Sequence, residues 1–161
     1  MTRINTTAPA DLTNEWVLAE TRELPRIVNE LRDHPERLVL KDIPKQYTLG
    51  AGHCKFFRNK LLYLAKRHSL LLEECAKRGL SINKDIRVDL DLLPDHIKMF
   101  CLNDWTPSRE DHRILILRLI ERFSLRGKAY HMTKNNTKLR IDTDAEFNVY
   151  FNQHLAKYLG E

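Results

Sequence analysis

Apolar residues recur at helical spacing in the first part of the chain and predict a first helix. It begins near Thr13, whose hydroxyl can cap the helix, and ends at about His34. Pro25 cannot donate a backbone N–H, so we expect it to interrupt the helix with a kink. The apolar stripe of this helix consists of Trp16, Leu24, Ile27, Val28 and Leu31.

A second helical pattern covers residues from about 55 to 78, and Gly79 is placed to end it. Its apolar positions cover a wide arc, which is typical of a central helix. The following segment, 80–106, has a mixed pattern and contains Pro94. We therefore expect a long ordered connection there, with a short helix at most.

A third helix is predicted from about Ser108, a good cap, to about Leu125. Residues 134–138 (KNNTK) form a turn-rich link, and a final amphipathic helix covers about 143–159. With few alternating strand patterns, the prediction is an all-α, compact single domain of three main helices and an additional C-terminal helix. We place the functional domain at 1–132 and expect the extension, 133–161, to pack on it. The inward-facing residues of the last helix are Phe147, Tyr150, Phe151, Leu155 and Tyr158.

Charge adds a preference for a polyanionic partner. The 161 residues include 27 Lys and Arg against 22 Asp and Glu, a net charge of +5 with a pI near 9.2. Three distant cysteines predict reduced thiols, and the seven histidines lack the spacing of metal ligands, so no cofactor or metal is expected. No apolar run suits a signal peptide or a membrane span. We expect a cytoplasmic monomer.

The amino terminus carries candidate chemistry. Thr2 is small enough for Met1 to be removed, which would expose its α-amine. With a pKa of about 8, roughly a tenth of such an amine is neutral at pH 7, far more than of a lysine at about 10.4. Arg3, with Arg22 and Arg26 on one face of the first helix, would depress this pKa further. Thr2 is therefore a candidate nucleophile for Schiff-base chemistry.

Glu23 lies beside these arginines at the margin of the apolar stripe, where a carboxylate can act as an acid or base. Taken alone, these residues also fit a solvated helix face with an ordinary ion pair. Four separated strings favour the functional interpretation. They are MTRIN at 1–5, AETRELPR at 19–26, LGAGHCKFF at 49–57 and EECAKRG at 73–79.

These strings resemble, in order and spacing, the phage-type pyrimidine-dimer DNA glycosylases, the ultraviolet endonuclease V family. The resemblance implies a compact helical enzyme that is both a glycosylase and an abasic-site lyase acting on cyclobutane pyrimidine dimers in double-stranded DNA. In this family the amine matching Thr2 attacks C1′ of the damaged nucleotide, and the imine permits strand scission by β-elimination. Glu23 matches the essential carboxylate. The matching DNA-binding residues are Arg3, Arg22, Arg26, Gly50, Ala51, Arg118 and Arg122.

Several features qualify the resemblance. Arg118, Arg122 and Arg126 recur every four residues and form one predicted basic ridge, which fits phosphate contact or a solvated face. Residues 50–51 similarly fit a phosphate-binding loop or a tight turn. His53 matches the family and is interpreted as a structural histidine.

The chain also departs from the family. Trp16 replaces a family histidine, and the aromatic C-terminal string associated with lesion recognition is reduced to AYHM at 129–132. The source implied is a bacterial or virus-infected cell. A second hypothesis keeps the arginines but makes no use of Thr2: a non-catalytic basic helical protein that binds damaged or distorted DNA.

Overall fold

The first helix has the predicted ends. In the computed structural model, which describes residues 3–160, α1 covers Asn14–Asp33. The Thr13 hydroxyl caps it by accepting the N–H of Trp16 at 3.5 Å, and His34 follows its last turn. The helix is continuous through Pro25, so this proline does not divide it, while the expected kink stays a prediction.

The predicted second helix is two helices, α2 at His53–Phe57 and α3 at Leu61–Arg78. Lys60 leaves the helical region at φ −127° and ψ 43°, and its ammonium donates to the Phe56 carbonyl at 2.8 Å. That bond satisfies an acceptor at the end of α2 and stabilises the break. Gly79 ends α3 as predicted, in the left-handed conformation at φ 65°.

The next two elements agree with the sequence. The long connection contains one short helix, α4, at Asp95–Cys101. The helix α5 covers Arg109–Ser124 and begins with a capping box between Ser108 and Asp111.

A β-hairpin follows α5, and this corrects the all-α prediction. Strands β1, Tyr130–Lys134, and β2, Thr137–Ile141, pair antiparallel. The turn residues Asn135 and Asn136 have φ of 50° and 61°, which fits a tight two-residue hairpin turn. Asparagine tolerates this backbone, so the link predicted at 134–138 is the turn of a hairpin.

The C-terminal segment is helical but not one regular α-helix. The α6 helix covers Asp144–Tyr150 after a capping box at Thr143, and wider and then tighter turns continue it over Phe151–Leu155 and Ala156–Leu159. Of its predicted inward residues, Phe147, Tyr150 and Leu155 are buried, and Phe151 and Tyr158 are half-buried.

The helix α1 packs on α3, and the segment before α1 contacts α3 and the C-terminal segment. The Tyr158 hydroxyl donates to the Asp11 carboxylate at 2.6 Å and accepts the N–H of Ala8 at 2.8 Å. The C-terminal segment therefore contacts residues 8–11, while a domain boundary at residue 132 stays a prediction. Within residues 3–160, no helix combines the length and apolar character needed to cross a membrane.

Candidate active site

A pocket of about 270 Å³ opens where the amino-terminal segment meets α1, α5 and β1. It combines carboxylates from α1, arginines from the chain's start and from α5, and two aromatic rings. The rings of Trp16 and Tyr130 lie 5.0 Å apart and form one wall. The lining residues are Arg3, Asn5, Glu15, Trp16, Ala19, Glu20, Glu23, Arg122 and Tyr130.

Hydrogen bonds fix the backbone next to the pocket from two sides. The N–H of Ile4 donates to Nε2 of His53 at 2.8 Å, and its carbonyl accepts the Tyr47 hydroxyl at 3.2 Å. Asn5 donates twice to Glu20, from its backbone N–H at 3.1 Å and from its side-chain amide at 2.7 Å. All five residues are buried, so the direction of the chain at residues 4–5 is determined.

Glu20 in turn forms a buried, two-bond ion pair with Arg67 of α3. Arg67 donates from Nε at 2.6 Å and from Nη2 at 3.0 Å, and the side chains are 5% and 1% exposed for Arg67 and Glu20. Burial lowers the pKa of Arg67, but the Glu20 carboxylate together with the nearby tyrosines outweighs burial, and the pKa is raised. Arg67 also donates to the Thr7 carbonyl at 2.8 Å. The pair therefore joins α1, α3 and the amino-terminal segment.

The partners of His53 determine its protonation. Nε2 accepts from Ile4, so Nδ1 carries the proton and donates to the Thr48 carbonyl at 2.8 Å. Burial lowers the pKa of His53, with a further contribution from Arg3. The turn before His53 passes close to Thr48, and Gly52 permits this because a Cβ at residue 52 would lie 2.9 Å from the Thr48 side chain. The structural role predicted for His53 is thus to position the Ile4 backbone with its neutral ring.

Three arginines share one electrostatic environment at the pocket. The pKa of Arg3 is lowered first by burial and then by repulsion from Arg122 and Arg118 of α5. Arg122 is exposed, and Arg118 forms an ion pair with Glu121 at 2.5 Å. The positive charge that faces the chain's start therefore comes from α5.

The structure brings together part of the predicted site. Thr2 lies outside the described residues. Arg3, Glu23 and Arg122 line the pocket, and Glu23 is half-buried there. Arg22 and Arg26 are exposed on α1 and do not line it, and the Arg22 guanidinium donates to the carbonyl of Leu18 at 3.3 Å. Because Thr2 lies outside the described residues, the expectation that these two arginines surround its amine stays a prediction.

The remaining candidates lie in a turn and at the end of α5. Gly50 and Ala51 belong to a tight turn, Gly50–Gly52, that leads directly into His53. Arg126 does not continue the basic ridge as a free cation. Its guanidinium lies over the Phe123 ring at 3.7 Å from the centroid and donates to the Asp142 carbonyl.

Sequence reasoning missed the contacts that fix the amino-terminal segment, although two of them carried a signal. Glu20 lies four residues from both Trp16 and Leu24, inside the apolar stripe of α1. Arg67 similarly lies between the buried residues Leu64 and Leu71. A charged residue in such a position needs a buried partner of opposite sign. The identity of that partner depends on the fold.

Comparison with known families supplies an independent identification. Residues 1–88 match the model of the family described as pyrimidine dimer DNA glycosylase. The matched part extends from the amino terminus through α1, α2 and α3. It includes Glu20, His53 and Arg67, and it ends before α4, so the hairpin and the C-terminal helices lie outside it.

Proposed function

Because the chain belongs to the pyrimidine dimer DNA glycosylase family, we propose that it cleaves DNA at cyclobutane pyrimidine dimers through an imine with the α-amine of Thr2. The same intermediate gives it abasic-site β-lyase activity. The substrate is double-stranded DNA with ultraviolet lesions or abasic sites, and the enzyme acts as a monomer in the cytoplasm.

The observation that carries this proposal is the fixed backbone at Ile4 and Asn5. Hydrogen bonds to His53 and Glu20 hold these residues beside the pocket at 2.8 Å and 3.1 Å. Thr2 is bonded directly to Arg3, which lines the same pocket as Glu23. A nucleophile held in one orientation avoids much of the entropy cost of a reaction between two molecules.

The surrounding charges suit an amine nucleophile. Arg118 and Arg122 repel the positive charge of Arg3. Positive charge of this kind next to an amine favours its neutral form, which is the form able to attack C1′. As the amine nitrogen bonds to C1′, the glycosidic bond breaks and the base leaves. Loss of the amine proton and opening of the sugar ring then give the iminium. The Glu23 carboxylate stabilises this cation.

Strand scission follows from the same intermediate. Removal of a proton from C2′ moves the electron pair toward the iminium, and the C3′–O bond breaks to release the phosphate. We assign the proton transfers to Glu23, the half-buried carboxylate of the pocket. Water then hydrolyses the imine and regenerates the amine.

Around this centre we assign DNA contacts to seven residues. Arginines bind backbone phosphates, and the backbone N–H groups at the turn before α2 approach a phosphate in the same way. A crosslinked pyrimidine pair is poorly stacked, which lowers the energy needed to kink the duplex and to extrude the nucleotide opposite. The proposed contacts are Arg3, Arg22, Arg26, Gly50, Ala51, Arg118 and Arg122.

Borohydride trapping tests the nucleophile. The protein with Thr2 at its terminus should form a covalent complex with duplex DNA that contains an abasic site or a cyclobutane dimer. One extra residue before Thr2 should abolish trapping while DNA affinity changes little. Trapping that is equal in both proteins would reject Thr2 and point to a lysine.

A substitution tests the carboxylate. Glu23→Gln should retain affinity for damaged DNA and lose strand cleavage, by roughly 100-fold or more. Glu30→Gln, on the same helix and outside the pocket lining, is the matched control and should cleave normally. Equal cleavage by both variants would refute the role of Glu23.

A further inference from the structure

One stretch near the end of the chain is rich in positive charge and contains no carboxylate side chain. Residues 122–141 contain six Lys and Arg and no Asp or Glu, whereas the other 141 residues carry 21 basic and 22 acidic residues. A second stretch, 43–72, has the same composition, but its Arg58, Lys66 and Arg67 form ion pairs with acidic residues elsewhere in the fold. The segment 122–141 lies beyond the matched family region. Its basic residues are Arg122, Arg126, Lys128, Lys134, Lys138 and Arg140.

The fold directs this segment away from the candidate active site as a hairpin. Tyr130, the first residue of β1, lines the pocket with Arg3 and Glu23. At about 3.3 Å per residue, Lys134 at the other end of β1 lies about 13 Å further on. Lys138 pairs with Thr133 across the hairpin. A ligand that occupies the pocket and extends along β1 would therefore reach these lysines.

Side chains of α1 hold the hairpin in place. Glu15 accepts the backbone N–H of His131 at 2.8 Å and contacts its ring nitrogen at 2.7 Å. Asn14 accepts the N–H of Thr133 at 3.2 Å and donates to its hydroxyl at 2.9 Å. These paired contacts fix β1 on the helix that also carries Glu23. The hairpin is thus a rigid extension of the site.

Three lysines on and beside the hairpin are exposed to solvent. Lys128, Lys134 and Lys138 are exposed, and within residues 3–160 none of them forms an ion pair. Arg126 and Arg140 are already engaged by Asp142, Arg140 at 2.7 Å. Lys134 shares a groove with Asp11 and Glu74, but both carboxylates are paired with other cations. Ammonium groups without an ion pair of their own favour a ligand that supplies negative charges.

We propose that the hairpin 130–141, together with Lys128, is a second DNA-binding surface that contacts backbone phosphates flanking the lesion. Continuity with the pocket favours DNA over an acidic protein as the partner. The inference rests on the proposed function in one respect, that the molecule bound at the pocket is duplex DNA. It predicts that affinity has a phosphate-contact component independent of the chemistry at Thr2.

The test compares two double variants that each remove two positive charges. Lys134→Ala with Lys138→Ala changes the hairpin. Lys84→Ala with Arg87→Ala changes a segment where the basic residues alternate with Asp85 and Asp89. Binding is measured across a salt series with an undamaged duplex and with a duplex containing a tetrahydrofuran abasic analogue, which cannot form the imine.

For the hairpin variant, the slope of log affinity against log salt should fall by about 0.9 per lost phosphate contact, thus by about 1–2. Affinity should fall roughly 10- to 60-fold at about 0.1 M salt. The control variant should retain the parent slope. Equal slopes in the hairpin variant and the parent, or an equal loss in both variants, would overturn the proposal.

Trapping distinguishes a failure here from a failure of the proposed function. At saturating abasic DNA, the hairpin variant should trap at the parent rate, because the pocket is intact. Absence of trapping in every protein, together with the slope difference, would reject the imine and leave the hairpin surface in place. Normal trapping without a slope difference would reject the hairpin surface and leave the imine mechanism in place.

Discussion

Nε2 of His53 accepts the backbone N–H of Ile4 at 2.8 Å, two residues after Thr2. Only the neutral ring can do so, because a protonated imidazole presents N–H groups on both sides. The contact therefore links the protonation of a buried histidine to the position of the Ile4 backbone.

Replacement of His53 should affect chemistry more than binding. In His53→Leu the Ile4 N–H loses its buried acceptor, which should cost about 1–3 kcal/mol of stability. We expect the rate of borohydride trapping to fall several-fold at saturating DNA, with little change in affinity. His53→Gln supplies a carbonyl acceptor and should recover part of the rate. Equal rates for the Leu variant and the parent would refute the positioning role.

The same histidine predicts a pH dependence of stability. Burial holds the pKa of His53 in the folded protein below its ordinary 6.5. The unfolded chain thus binds more protons between these two values, and stability is complete above about pH 6.5 and falls as the pH decreases toward the folded pKa. Urea unfolding measured from pH 7.5 down to pH 5 should show a smaller fall in the free energy of unfolding for His53→Gln than for the parent. An unchanged curve would mean that His53 does not titrate in this way.

Loss of the buried ion pair between Glu20 and Arg67 should lower stability far more than loss of an exposed ion pair. Arg67→Met leaves the Glu20 carboxylate buried without its partner, and we expect a loss of about 3–5 kcal/mol in the free energy of unfolding. Arg113→Met, which removes an exposed pair with Glu110, should change stability within the error of the measurement. Similar losses in both variants would contradict this assignment.

Asp11 should contribute stability through the C-terminal segment. Burial raises its pKa, but hydrogen bonds from His154, Lys157 and Tyr158 outweigh burial and lower the pKa to about 2. Stability from this carboxylate is therefore present above pH 3.8 and is lost as the pH falls toward about 2. Asp11→Asn should cost about 1–2 kcal/mol at pH 7 and flatten the acid limb of unfolding. Tyr158→Phe, which removes one of the three donors, should show a smaller effect of the same kind.

The elements predicted from sequence are those with local signals. Thr13, Gly79 and Ser108 end or begin helices through contacts within a few residues of themselves. The break at Lys60 and the hairpin at 130–141 were missed because helical spacing on both sides obscured the first, and because the short strands depend on packing against α1. The structure therefore adds the tertiary contacts that local patterns omit.

In the candidate site, too, some residues could be predicted from sequence motifs and others depend on the fold. Motif similarity selected Arg3, Glu23 and Arg122, which share the pocket. The pairing of Glu20 with Arg67, 47 residues apart in the chain, depends on the packing of α1 against α3 and could not be read from either residue alone.

The contact between Asp11 and Tyr158 joins residues 147 positions apart. During synthesis the partner of Asp11 is among the last residues to be added, so the amino-terminal segment cannot acquire its complete set of contacts until translation ends. An aminopeptidase that acts on the nascent chain can therefore act before the contact between Asp11 and Tyr158 has formed. The order of assembly thus favours removal of Met1 before the fold is finished, and in the proposed mechanism that cleavage creates the nucleophile.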